Sequence, residues 1–335
     1  MATGSRIFTD IDYEKSGMQV GWLNLPHSVT RAAYRNIMIP IAVVKNGAGP
    51  TALLMAGNHG DEYEGQVALT KFIRQVEASD LNGRIILLPA ANLAAALNGT
   101  RVSPIDQGNL NRVFPGDPNG TPTEQIAYYI DSVLFPMTDV LADFHSGGAS
   151  QDFLPSAGVN TISTATAEVI ERSVATMKAL GAPISLNLGQ GQDTRIIAHA
   201  AMRRGVAAVS GEFGGGGSVS VDGVRLVEQC IKNLLGYCGI VGEPARENPP
   251  TRLMIVPGPE YFVFAQESGL FEPFAELGET VEAGQPCGQV LFVDNPAREP
   301  VKAVFQRGGL VVCKRHCGRV ERGDCVAHLA IDWEG

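Results

Sequence analysis

No stretch of this chain approaches the roughly 18 consecutive apolar residues that cross a bilayer, so no membrane span is expected. The opening MATGSRIFTDIDYEKSG lacks the apolar core between a basic start and a small-residue cleavage site that marks a secretory leader, and a cytoplasmic address is expected. Positive charge is also short: 26 Lys and Arg against 35 Asp and Glu leave a formal charge of −9, which argues against non-specific nucleic-acid binding. The six cysteines are scattered through 335 residues without a CxxC pair, as in a reduced protein rather than a disulfide-stapled one. What remains is a chain of ordinary hydrophobicity, long enough for two domains.

Its first 240 residues alternate. Extended segments over residues 18–47 include Ile37 to Val44. Further apolar strands are expected at Thr51 to Ala56, Arg84 to Pro89, Asp139 to Phe144, Pro183 to Leu188 and Val206 to Val209. Helices are expected between them, over about Glu64 to Glu77, Thr123 to Phe135 with Thr123 as N-cap, Thr166 to Leu180, Arg195 to Arg204 and Asp222 to Tyr237. The pattern implies an α/β fold with a mostly parallel or mixed central sheet and helices on both faces. Residues 92–122 are rich in Gly and Pro, and a loop that long inside a compact domain is usually functional.

Glu243 to Arg252, EPARENPPTR, reads as a linker between a domain over 1–245 and a β-rich domain over 253–335. The tail repeats itself at an offset of about 40 residues: Gly269-Leu270, Gly278, Val281 and Gly284 are answered by Gly309-Leu310, Gly318, Val320 and Gly323. Two such copies resemble the barrel-sandwich hybrid of biotinyl and lipoyl carriers. The turn between them, Asp294 to Glu299, holds no lysine, and Lys302 lies outside it, so a swinging-arm role is not expected.

Four ionisable residues sit at the ends of predicted strands, where open α/β sheets build their sites: His59, Glu62, His145 and Glu212. Two imidazoles and a carboxylate form the ligand set of a hydrolytic zinc ion. Glu212 is then left as general base, and Asp143, two residues before His145, can orient a ligand imidazole. Other features carry less. HxxE alone is common on solvated loops. Gly214 to Gly217 lacks the lysine and spacing of a phosphate loop and is read as a flexible site rim or a turn. Cys313, His316, Cys317, Cys325 and His328 do not form a second zinc site, because strand alternation sends Cys313 and His316 to opposite faces. His27 and His199 have no partner pattern.

HxxE after a strand, Asn-Leu-Asn-Arg at 109–112, Asp-Phe-His and Gly-Glu-Phe, in this order, resemble the succinylglutamate desuccinylase and aspartoacylase family of zinc carboxypeptidase-like hydrolases. The resemblance spans about residues 40–240, and the β-rich tail suits it. It implies one zinc ion per chain held by His59, Glu62 and His145, with Glu212 as base. Asn111 and Arg112 would hold a substrate carboxylate, and Arg101 would stabilise the oxyanion. The substrate would be a small N-acyl amino acid, and a homo-oligomer is compatible with it. GNHGDEYEG, SPIDQGNLNRVFPG and DFHSGG resemble most the members that deacetylate N-acetyl-diaminobutyrate. Against this, the basic residues Arg195, Arg203 and Arg204 leave open a substrate with a second acidic group, as in succinylglutamate or N-acetylaspartate. A catalytically inactive metal-binding scaffold is the alternative of a different class, disfavoured by the presence of Glu212.

Overall fold

The computed structural model describes residues 4–190, 193–242 and 250–334. Its main sheet runs, in spatial order, through Gly17–Pro26, Asn36–Asn46, Gly83–Leu88, Thr51–Ala56, Val140–His145, Ala207–Glu212, Ser156–Thr161 and Ile184–Gln190. It then continues through Arg252–Ile255, Cys325–Asp332, Gly309–Arg315 and Thr280–Val281. The sheet is mixed. Parallel pairs join Gly83–Leu88, Thr51–Ala56, Val140–His145 and Ala207–Glu212, while Asn36–Asn46 runs antiparallel to its neighbours and Ser156–Thr161 runs antiparallel to Ala207–Glu212 but parallel to Ile184–Gln190. The central strands Thr51–Ala56, Gly83–Leu88 and Val140–His145 are buried along their whole length, which explains their unbroken apolar runs.

Helices cover both faces. Successive strand residues point to opposite sides. The helix Glu64–Ile73 packs so closely on Phe144 that a Cβ on Gly65 would come within 2.7 Å of the Phe144 Cβ. The helix Ile197–Arg203 lies on the other side, where Ile197 and Ala198 share a cavity with Asp143 and His145. Ala167–Leu180 and Val221–Tyr237 complete the layers, and Val221–Tyr237 packs on Glu64–Ile73.

Several boundaries move from those expected. The helix expected from Thr123 starts at Pro122, and its N-cap is Thr121. The Thr121 hydroxyl accepts from the Glu124 N–H, and the Glu124 carboxylate accepts from the Thr121 N–H. Pro122 suits the first helical position because no hydrogen bond is needed there. Thr123 instead donates its hydroxyl to Asp106. His145 and Glu212 are the last residues of their strands rather than the first beyond them, whereas His59 lies three residues after Ala56. Two strands carried no sequence signal, Gln151–Phe153 and Ser156–Thr161. Residues 243–249 of the expected linker lie outside the described residues.

The tail is not a detached appendage. Arg252–Ile255 inserts beside Ile184–Gln190 in parallel and carries Cys325–Asp332 on its other edge. Ile184, Leu186, Met254, Leu310, Val312 and Ala330 form one apolar cluster across this junction. Beyond it the tail has its own core, with Phe271, Val290, Phe305 and Leu329. The internal repeat reappears as reciprocal pairing. Gly269–Pro273 of the first copy pairs with Arg319–Val320 of the second, and Gly309–Arg315 of the second pairs with Thr280–Val281 of the first. Lys302 lies within Val301–Val304, opposite Gln289.

Candidate active site

Strand register sets the site. His145 and Glu212 are paired residues at the ends of adjacent parallel strands, so their side chains leave one face side by side. The turn after Thr51–Ala56 brings His59 and Glu62 to the same edge. Glu62 sits between the imidazoles, its Oε1 2.7 Å from His59 Nδ1 and its Oε2 2.6 Å from His145 Nδ1. The three side chains are almost wholly buried, and their ligand atoms lie within 4.8 Å of one another. Among the described residues this is the only such cluster of three or more His, Cys, Asp or Glu.

The outer ring nitrogens decide what the inner ones can do. His145 Nε2 meets Asp143 Oδ2 at 2.7 Å, an oxygen that also accepts from Asn58 Nδ2. His59 Nε2 meets Asn109 Oδ1 at 3.2 Å, and that atom is an acceptor because the Asn111 N–H also donates to it. Both Nε2 atoms therefore carry the hydrogen, and both Nδ1 lone pairs face the Glu62 carboxylate, itself only an acceptor. Three acceptors converging on one point need a positive centre between them. A divalent cation with N and O ligands fits that donor set, and the outer acceptors orient the rings.

The electrostatics follow from the same arrangement. Burial opposes charge on Glu62, yet the two imidazoles hold its pKa well below the usual carboxylate range. Burial likewise opposes charge on His145, but Asp143 and Glu62 raise its pKa, whereas burial lowers that of His59. Glu212 Oε2 is enclosed without a hydrogen-bond partner. Burial, and then the negative charge of Glu62, push the Glu212 carboxyl up to about 8.

A cavity of about 360 Å³ opens on this cluster. All seven residues singled out from the sequence, His59, Glu62, Arg101, Asn111, Arg112, His145 and Glu212, line it, as does Asp143. Arg101 Nη1 lies 3.3 Å from Glu62 Oε1. Arg112 donates to the Asn111 carbonyl, with its Nε 3.6 Å from Asp193. The Asn111 side-chain oxygen accepts from the Ile197 N–H, which leaves its amide hydrogens unspent. Arg195 is not among the lining residues. Its guanidinium grips Asp193 through two 2.9 Å bonds and stands mostly in solvent.

Sequence reasoning missed part of the wall. Ser150, Gln151 and Phe153 line the cavity from a segment that pairs with the tail strand Gly309–Arg315. Gln151 also accepts from Cys313 Sγ and donates to the Cys325 carbonyl. No local pattern announces such a contact, because its partner lies more than 160 residues away. Asn109 was visible in Asn-Leu-Asn-Arg, but only the fold brings it to His59. Gly214 to Gly217 proves to be a packed turn: a Cβ on Gly214 would meet Glu64 Oε1 at 2.4 Å, and one on Gly215 would meet the Gln151 carbonyl at 2.1 Å.

Comparison with known proteins agrees along the whole chain. Residues 48–238 match the succinylglutamate desuccinylase/aspartoacylase catalytic domain. The N-alpha-acetyl-L-2,4-diaminobutyric acid deacetylase of Halomonas elongata is 39% identical over 327 residues, covering 97% of this chain and 95% of that protein. The product-bound structure of the ectoine utilization protein EutE (DoeB) from Ruegeria pomeroyi superposes with a TM-score of 0.93 at 39% identity, covering 98% of this chain and 99% of that one. A succinylglutamate desuccinylase/aspartoacylase from Rhodobacter sphaeroides gives a TM-score of 0.91 at 38% identity, covering 98% and 100%. With the His-Glu-His cluster and Glu212 at the ends of its central strands, this chain belongs to the succinylglutamate desuccinylase/aspartoacylase family.

Proposed function

We propose that this family hydrolase removes the acetyl group from N-α-acetyl-2,4-diaminobutyrate with the help of one zinc ion. The observation that carries the reading is Glu212, a carboxylate with an enclosed, partner-free oxygen beside the three convergent acceptors of His59, Glu62 and His145. The relative with that activity covers nearly the whole chain. Arg195, the residue that left a diacid open, is turned outward onto Asp193.

His59, Glu62 and His145 would hold the zinc. Bound there, the cation acidifies water and withdraws charge from an amide carbonyl. Glu212, whose Oε2 has no partner to displace, takes the water proton and hands it to the departing nitrogen. The Arg112 guanidinium and the Asn111 amide hydrogens anchor the substrate carboxylate. Arg101, beside Glu62 at the cavity wall, stabilises negative charge on the carbonyl oxygen. We divide the chain into a hydrolase unit over 1–245 and a β-rich unit over 253–335, with Arg252–Ile255 completing the first unit's sheet. The reciprocal strand pairing supports a barrel-sandwich hybrid for the second. We place the protein in the cytoplasm, where its cysteines, free throughout, remain thiols; among the described residues no helix is long and apolar enough to cross a membrane.

The test combines metal analysis with assay. Glu212→Gln is expected to bind zinc at the parent level and to lose about 10³-fold in kcat/KM on N-α-acetyl-2,4-diaminobutyrate. His145→Ala is expected to lose the metal. A Glu212→Gln protein as fast as the parent would overturn the mechanism, and undiminished zinc in His145→Ala would remove that ligand.

A further inference from the structure

Below the catalytic row the sheet presents a second row. Asp143, Ser210 and Gly158 are paired across three neighbouring strands, two residues down from His145 and Glu212 and therefore on the same face. Gly158 leaves a gap in it, since a Cβ there would stand 3.2 Å from Ser210 Oγ. Asn160, two residues on from Gly158, lines the same cavity as Ser210 and Asp143. Among the described residues neither the Asn160 amide nor the Ser210 hydroxyl has a side-chain hydrogen-bond partner, and Asp143 Oδ1 is buried without one.

The Asn160 amide and the Ser210 hydroxyl are thus left open on the cavity wall, beside Asp143 and the Glu212 carboxylate. Arg101 lies beside Glu62, and Arg112 stands with its Nε 3.6 Å from Asp193. Arg195 is committed to Asp193. A recess with open acceptors beside two carboxylates favours a hydrogen-bond donor or a positive charge over a carboxylate.

We propose that the recess over Gly158 is the side-chain subsite of the substrate, in which Asn160, Ser210 and Asp143 Oδ1 receive an amine and reject a side-chain carboxylate. The inference rests on the deacylase function proposed above and names the residues that select its substrate. Asn160 and Ser210 are the specificity residues in it, because Asp143 also positions His145.

The zinc-loaded enzyme is assayed on three substrates with the same scissile bond: N-α-acetyl-L-2,4-diaminobutyrate, N-acetyl-L-2-aminobutyrate, which lacks only the amine, and N-acetyl-L-aspartate. The parent is expected to favour the amine over its apolar analogue by about tenfold or more in kcat/KM. Asn160→Leu should bring that ratio close to one, with the greater loss on the amine-bearing substrate. Ser210→Ala should lower the ratio to a lesser degree, and Asn160→Asp should preserve it. A ratio unchanged in Asn160→Leu and Ser210→Ala, or an equal loss on both substrates, overturns the subsite. Preference of the parent for N-acetylaspartate also overturns it while leaving deacylation intact. Inactivity of the zinc-loaded parent on all three substrates refutes the proposed function itself, and the subsite with it.

Discussion

Asn109 shows how much one residue carries beyond its place in a motif. Its side-chain oxygen receives both the His59 Nε2 hydrogen and the Asn111 N–H, so it fixes the imidazole tautomer and the turn that presents Arg112. Asn109→Ala is expected to weaken zinc binding by about 10–100-fold, the usual effect of removing a partner that orients a metal ligand. Titration with a competing chelator measures it; parent affinity would show that His59 is held by other means. At this scale the sequence was informative about identity and silent about direction. His59, Glu62, His145 and Glu212 were legible because each ends or closely follows a readable apolar strand. The outward turn of Arg195 was not, since it depends on an ion pair with Asp193 that no periodicity encodes.

Among elements, the tail strand Cys325–Asp332 carries the most exposed consequence. Its His328 is buried between the rings of Phe153 and Phe262, with no hydrogen-bond partner on either nitrogen. Burial lowers its pKa to about 4. Below its ordinary pKa of roughly 6.5 the unfolded chain takes up a proton that the folded chain refuses. Stability from this group is therefore complete above about pH 6.5 and declines toward pH 4, by about 3 kcal/mol across the window. Urea unfolding of the zinc-free protein at pH 7.5 and 4.5 should show a smaller acid loss in His328→Leu than in the parent; identical losses would sink the assignment.

The glycine turn makes a second prediction at this scale. Gly215→Ala drives a methyl into the Gln151 carbonyl and displaces the strand Gln151–Phe153 that walls the cavity. A rise in KM with zinc content unchanged is expected, and a parent-like KM would mean that the wall does not touch substrate. Long apolar strands and the amphipathic helices were readable from period and length, as Ala167–Leu180 illustrates. Gln151–Phe153 was not, because three residues paired with a remote partner leave no repeat to read.

For the whole molecule, the turn to a strand-rich tail was legible from the loss of helical pattern after residue 250, and the tail repeat from its glycines, and a division of the chain there was expected from both. Their union was not. The sheet passes from one region to the other through Arg252–Ile255, and the tail braces the cavity wall through Gln151 and Phe153. A chain cut after residue 242 loses that brace and the apolar cluster at the junction. It is expected to be recovered mostly insoluble, and any soluble fraction to fall at least about 100-fold in kcat/KM, as when positioning groups are displaced by about 1 Å. A soluble fragment with parent activity would show that the hydrolase unit is self-sufficient.

The place of Cys325–Asp332 also sets a timetable. It lies inside the main sheet, flanked by Arg252–Ile255 and Gly309–Arg315, so two inner edges stay bare until it arrives. At ribosomal rates the interval between His145 and that strand is on the order of ten seconds. Through that time the nascent chain holds its metal-binding residues but not the tail that braces its cavity wall at Gln151–Phe153, and unpaired strand edges of this kind attract other chains. How much active enzyme is obtained then depends on synthesis rate and chaperone supply as well as on the chemistry of the site.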